Sequence, residues 1–214
     1  MNPDNTPRSA LHDALQSGLH GRQAQHEALL KRALSQIAGN RPWRKWKTRA
    51  AEDLITMADR AARMDVMDLD VKGDLQAVYR IRMPVPRWPM DGKLQIGEEA
   101  AFHLGYQEQW LWESPAGWAP LGLLFPPDPF HPEARPALRG ALCLGHLQPG
   151  TRPTEIVLMG YYMLTLQDLQ LDDLDPAGVL NVQACEFYRN HGREYVPLTR
   201  AGLFEELEPR KESS

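Results

Sequence analysis

The sequence predicts an α+β domain with helices first, then a four-stranded antiparallel meander, then C-terminal helices. Three observations carry this expectation. Up to Met64, apolar residues recur at helical spacing. From Leu75 to Phe125 the runs alternate with the period of two that half-buried strands need, and short turns separate them. Beyond Cys143 the helical period returns. Sequential strands joined by short turns pair antiparallel, and helices then cover one face of the sheet.

The chain has 214 residues, enough for one domain with a sizeable core plus an extension. Hydrophobic residues make up 43% and charged residues 24%, ordinary values for a soluble globular protein. A net charge of −4 gives no overall field that would favour nucleic acid or an anionic membrane. No signal peptide and no run of membrane-spanning length is expected. The two cysteines, Cys143 and Cys185, lie in different settings, which argues for a reducing compartment and against a disulfide framework or zinc site. A cytoplasmic protein is expected, with no cofactor and no metal. Residues 1–42 are expected to be a helical extension, 43–204 the domain proper and 205–214 a flexible charged tail.

The first helix is expected from Ser9 to Ala38. Leu11, Leu15, Leu19, His26, Leu29, Leu30, Ala33, Leu34 and Ile37 fall on one stripe, weakened near Gly18 and Gly21 and stopped by Gly39-Asn40. That stripe packs on the body of the protein or serves as a docking arm. From Arg41 to Arg49 there are five basic residues and no acid, with Trp43 and Trp46 interleaved. Aromatics among cations suit single-stranded nucleic acid. The same tryptophans, however, begin an apolar stripe through Ala50, Leu54, Met57, Ala61 and Met64. A second helix with a buried tryptophan face and a basic outer edge accounts for both features. Nucleic acid is set aside because only this short segment is basic, and an acidic protein partner suits the edge better.

Asp65, Asp68, Asp70 and Asp74 are expected to mark a solvated turn, without the glycine and terminal glutamate of a calcium loop. Leu75, Ala77, Tyr79, Ile81 and Met83 then alternate as a strand, and a proline-rich link runs to Asp91-Gly92. Leu94, Ile96, Ala100, Phe102, Leu104 and Tyr106 share one parity, with a bulge expected at Gly97. Trp110 and Trp112 read as a third strand, and Trp118 to Phe125 as a fourth. Phe125 to Pro132 is a proline-braced loop leading to Gly140-Ala141-Leu142-Cys143-Leu144. Pro153 opens a helix that is apolar almost all round to Leu166 and hence buried. Asp175-Pro176 is expected to cap a last helix with Val179, Leu180, Ala184, Phe187 and Tyr188 on its stripe, closed by Gly192. Cys185, beside that stripe, reads as a small buried hydrophobe. Cys143, on a loop just after a glycine, is the candidate nucleophile.

This order resembles the ubiquitin-conjugating enzyme family over residues 44–200. Trp118-Ala119-Pro120 with Pro126-Pro127 resembles the family's Tyr-Pro and Pro-Pro segment, and His131-Pro132 the start of its His-Pro-Asn signature. Gly140-Ala141-Leu142-Cys143-Leu144 resembles its Gly-x-(Ile/Val)-Cys-Leu. Pro153 falls where its Trp-Ser-Pro motif has the proline, with Thr151 and Arg152 replacing the first two residues. Leu180-Asn181-Val182-Gln183-Ala184 with Tyr188-Arg189-Asn190 resembles its closing helix. The resemblance implies a ubiquitin-conjugating-like fold and a catalytic domain over 43–204. On this reading Cys143 accepts a ubiquitin-like protein as a thioester from an activating enzyme and passes it to an amine of a target protein, with a possible ligase. The signature resembles that of divergent bacterial members, whose gene sets are linked to defence against phage.

One departure stands at the family asparagine, a proposed oxyanion donor, which falls on Glu133. An ionised glutamate only accepts hydrogen bonds. His146, Arg139 and the backbone amides after Cys143 are the candidate replacements, and Asp172, Asp173 and Asp175 are candidates for orienting or deprotonating the amine. Arg135 and Arg139 would favour the thiolate. His131, Pro132 and Glu133 form the flap, with His131 as its pin. The alternative is a catalytically silent scaffold or binding module of the same fold. A thiol hydrolase is less well served, because both nearby histidines flank the cysteine closely in sequence rather than coming from a distant element.

Overall fold

Tryptophan and alanine on one face of the second helix decide how the chain begins to pack. The computed structural model describes residues 7–37, 42–117, 119–134, 140–169, 171 and 180–207, with side chains from residue 20 onward. Two helices, α1 (Pro7–Ser35) and α2 (Pro42–Arg60), precede the sheet. Pro42 begins α2, where a missing N–H costs nothing. Trp43, Ala50, Ala51, Leu54, Ile55, Met57 and Ala58 are its buried face. The Trp43 and Trp46 rings stack on each other, and Trp46 packs on Tyr106 at 4.5 Å. The tryptophans of the basic segment are thus turned into the protein. Lys47 is buried with them, its Nζ donating to the carbonyls of Val71 and Gly73, and burial lowers its pKa.

Four strands follow: β1 (Met64–Asp70), β2 (Leu75–Met90), β3 (Lys93–Tyr106) and β4 (Leu121–Phe125). They form one sheet in the order β1-β2-β3-β4, every pair antiparallel. Two segments differ from the sequence expectation. The acidic stretch after Met64 is a strand rather than a turn. Met64, Val66 and Leu69 face the core while Asp65, Asp68 and Asp70 face out, with a register shift between Val66 and Asp68. Charge on an outer strand is how sheets protect their edges, so acids there do not signal a loop. The Trp110 segment, in turn, is a 3-10 helix, Glu108–Leu111, because Tyr106 Oη donates to the Trp110 carbonyl and folds the chain back.

The prolines also lie elsewhere than expected. Pro84, Pro86 and Pro89 sit within β2, whose length exceeds the alternating stretch. β1 pairs with β2 only as far as Ile81. Beyond it no strand lies on that side of β2, so a residue without an N–H is tolerated there, and the Pro86 carbonyl accepts from Phe130 N at 3.0 Å. The irregularity near Gly97 belongs to β2. Arg82 pairs with Glu99 and Val85 with Gly97, so the extra residue lies at Met83-Pro84.

After the sheet come α3 (Pro153–Leu164) and α4 (Val182–Tyr195). Ile156, Val157, Gly160, Tyr161, Met163 and Leu164 of α3 are buried, as an apolar helix requires. The cap of α4 is Asn181, whose Oδ1 accepts from Ala184 N, and the helix runs past Gly192 to Tyr195. The expected cap at Asp175-Pro176 lies outside the described residues, as do Val179, Gly39-Asn40 and the tail beyond 207. A second, smaller core joins Leu94 of β3, Phe130, Leu166, Ala184 and Tyr188. Among the described residues, no helix is long and apolar enough to cross a membrane.

From His20 onward α1 lies along the outer edge of β1. His26 Nε2 accepts the Val66 N–H at 3.2 Å, and Nδ1 donates to Asp59 of α2 at 2.7 Å. The Val66 bond places the ring hydrogen on Nδ1. Arg32 donates to Asp68 and to the Leu69 carbonyl, and Gln36 accepts from Val71 N. Side chains of α1 therefore satisfy backbone groups that no strand pairs with. His26→Ala leaves a buried N–H and Asp59 without partners. It should lower the unfolding free energy by about 2 kcal/mol, measured by urea titration. A midpoint equal to wild type would make α1 an appendage rather than part of the fold.

Candidate functional site

The site is built on a strip of extended chain, residues 140–144, laid beside β4. Leu123 N donates to Gly140 O at 2.7 Å, and Gly140 N donates to Pro127 O at 2.7 Å. Gly122 bridges Ala141, and Ala134 bridges Leu142, both antiparallel. Cys143 N then donates to Glu133 O at 2.9 Å and Leu144 N to Gly117 O at 3.1 Å. The strip is held from both sides, by β4 and its preceding turn on one and by the flap on the other. Leu142 and Leu144 point into the core, and Cys143 between them is half-exposed.

Glycine is required at two points on this strip. Gly140 has φ +77°, and a Cβ there would sit 2.1 Å from the Leu123 carbonyl oxygen. Gly117, read from sequence only as part of a turn, approaches the Gly145 carbonyl so closely that a Cβ would lie 2.0 Å from its oxygen. Either side chain would force the cysteine strip away from the sheet.

The flap is anchored through Phe130 and Pro132. Phe130 packs against Phe187 at 5.4 Å and Tyr188 at 5.8 Å, its N–H donates to Pro86 O, and its carbonyl accepts from Tyr188 Oη at 2.8 Å. The Pro132 carbonyl accepts both Leu180 N and Asn181 N, each at 2.8 Å. Asn181 thus caps α4 and ties it to the flap, a double role that the helix-cap pattern of the sequence does not reveal.

His131 is fully buried. Its Nδ1 accepts the Glu133 N–H at 3.1 Å, so the ring hydrogen lies on Nε2, which has no hydrogen-bond partner. Burial pushes its pKa down to about 3, opposed weakly by the nearby Met163 carbonyl. A neutral ring bonded to its own turn is a structural pin, with no proton to exchange near neutral pH.

Glu133 is half-buried, and the structure places it across from Cys143. Burial, and then the negative charge of Asp168, push its carboxyl up to about 7. Near neutrality it is therefore a mixture of acid and anion, and the acid form donates a hydrogen bond. The ionised form still only accepts; the acid form adds a donor. Asp168, which the sequence reading did not single out, lies in the turn after α3.

The remaining candidates separate. His146 is exposed and makes no hydrogen bond or ion pair with the described residues. The amides of Cys143 and Leu144 are already committed to Glu133 and Gly117, and among the backbone amides after the cysteine only those from Gly145 onward remain for an incoming oxyanion. Asp172, Asp173, Asp175, Arg135 and Arg139 lie outside the described residues, as does Trp118. Cys185 is fully buried, its thiol donating to Leu171 O at 3.1 Å.

Gly140→Ala should lower stability by about 2 kcal/mol or more and make Cys143 alkylate faster as the strip detaches; unchanged melting and alkylation would show the strip is not held there. A pH effect follows from His131. Its folded pKa of about 3 lies below the ordinary value of about 6.5. Between those values the unfolded chain binds more protons, so stability rises with pH. The contribution is complete above about 6.5 and is lost as pH falls toward 3. Urea midpoints at pH 7.5 and 5 should differ more in wild type than in His131→Asn, a variant that keeps an acceptor for Glu133 N. Comparison with the variant separates the ring from Glu133, whose raised value acts in the opposite sense. No protein-family model, curated protein or solved structure matches this chain.

Proposed function

We propose that this chain is a conjugating enzyme of ubiquitin-conjugating-like fold, carrying a ubiquitin-like protein as a thioester on Cys143. The observation that carries the reading is the half-exposed Cys143 on a backbone strip hydrogen-bonded from both sides. A thiol that exchanges acyl groups with a large partner must be reachable, and it must be rigid enough to orient a flexible tail. Cys185, with no solvent exposure, is not reachable. The order of elements adds support: a helix, an antiparallel four-stranded meander, a proline flap, the cysteine, then two helices.

In the proposed cycle the Cys143 thiolate attacks the thioester joining an activating enzyme to the partner's C-terminus. One thioester replaces another, so the exchange is near energy-neutral and the enzyme contributes chiefly orientation. A target amine, with or without a ligase, then attacks the new thioester. Exposed Leu180 and Val182, next to the Pro132 contact, offer apolar surface at the flap for the partner's tail. The setting of antiphage defence in bacteria is part of the same proposal and is checked by whether neighbouring genes encode an activating enzyme and a ubiquitin-like protein.

Incubation with the activating enzyme, nucleotide and ubiquitin-like protein should give an adduct that reductant removes and Cys143→Ala abolishes. Cys143→Ser should give an adduct that resists reductant. An active upstream enzyme that leaves wild type unmodified would instead identify a silent scaffold.

A further inference from the structure

Ala134 and Leu142 form an antiparallel bridge, and both side chains are buried. The next pair outward is Glu133 with Cys143, joined by the Cys143 N–H to Glu133 carbonyl bond of 2.9 Å. Glu133 is a turn residue, in the turn that Ala134 N closes on His131 O at 3.1 Å, and its carbonyl bond to Cys143 N keeps the two residues side by side; both are half-buried. Besides the buried His131, the Glu133 carboxyl is the ionisable group of this turn. Its side chain has no hydrogen-bond or ion-pair partner among the described residues. Among the described residues, three groups bear on it. Asp168 faces it from the turn after α3, the neutral His131 ring belongs to its own turn, and Asn181 of the α4 cap holds the adjoining Pro132.

We propose that Glu133 is the proton acceptor of the site, taking the proton from the amine that attacks an acyl group carried on Cys143. This rests on the acyl-carrier reading of Cys143. The neutral amine nitrogen bonds to the thioester carbonyl carbon, and the proton it sheds passes to the Glu133 carboxylate. The carbon–sulfur bond breaks with its electron pair going to sulfur, which leaves an amide and the Cys143 thiolate. Return of the proton from Glu133 to sulfur restores the starting pair. An acceptor suited to this task has a pKa near the working pH, and burial with Asp168 holds this carboxyl at about 7. The position where the resembled family carries an amide donor thus holds a proton-transfer group in this chain.

Two measurements test the pair. In the first, Cys143 alkylation by iodoacetamide is followed by mass spectrometry from pH 5.5 to 9.5, with no partner protein. With the ionisable carboxyl gone, Glu133→Gln should react about threefold faster near pH 7.5 and lose the wild-type inflection near 7. In the second, Cys143 is acylated by exchange with a small glycyl thioester and discharged to free lysine. Wild-type discharge should rise through pH 7, and Glu133→Gln should be at least about tenfold slower above it. Glu133→Asp should recover part of the rate. Asp168→Asn, a change at an exposed side chain, should move the wild-type inflection to lower pH. Glu133→Gln with wild-type alkylation and discharge profiles would overturn the proposal, as would an inflection unmoved by Asp168→Asn. If the activating enzyme forms no adduct while small-acyl discharge still depends on Glu133, the conjugating reading fails and this inference stands. If the adduct forms and Glu133→Gln discharges it like wild type, the inference fails and the reading stands.

Discussion

At Gly140 the chain turns with positive φ directly against the Leu123 carbonyl, giving its own carbonyl to Leu123 and its N–H to Pro127. A residue with a side chain could not make that turn at that distance. Everything on the cysteine side of the molecule depends on it. The turn aligns residues 141 and 142 for their bridges, which sets the parity that buries Leu142 and leaves Cys143 outward. It also sets which flap residue lies opposite the thiol. The second core beneath the flap supplies the matching constraint from below, since Phe130 and Tyr188 hold the Pro129–Ala134 turn at the height of the strip.

The flap separates two titratable groups only two residues apart. His131 is sealed in the interior and kept neutral; Glu133 stands at the rim, where part of its solvation is lost and Asp168 adds like charge. Burial shifts each toward its uncharged form, by the same physics acting on opposite signs. Neutral His131 accepts the backbone N–H of Glu133 and so fixes the turn from which the carboxyl projects. Structure and chemistry are divided between neighbouring residues.

Much of this architecture was legible in the sequence, and what was not has identifiable causes. The buried parity of Leu75 to Met83 and of Ala100 to Tyr106 was plain, because both sides of the alternation are set by one sheet face. Pro153 at a helix start and the all-round apolar α3 were equally plain. β1 was misread because outward aspartates on an edge strand look like a turn when the strand's partner is unknown. The Trp110 segment was misread because two tryptophans of one parity do not distinguish a strand from a short helix. Asn181 was overlooked as a cap because Asp175-Pro176 offers a stronger local signal. At the site, the cysteine, the flap and their order could be found from local pattern. The pairing of Glu133 with Cys143 could not, since a register across ten residues of loop is fixed by contacts with β4 and α4 rather than by local spacing. The proximity of Asp168 was hidden for the same reason.

Both margins of the sheet are occupied by this chain itself. His26, Arg32 and Gln36 cover one of them, and the cysteine strip is stitched to the other. A second extended chain would find the ladder positions beside these contacts already taken. On the proposed reading, a partner's tail is recognised through side chains and shape, by the apolar surface near Leu180 and the open face of the flap. On that reading, recognition of this kind would leave the tail free to swing its carboxyl terminus over the sulfur and to depart once handed on.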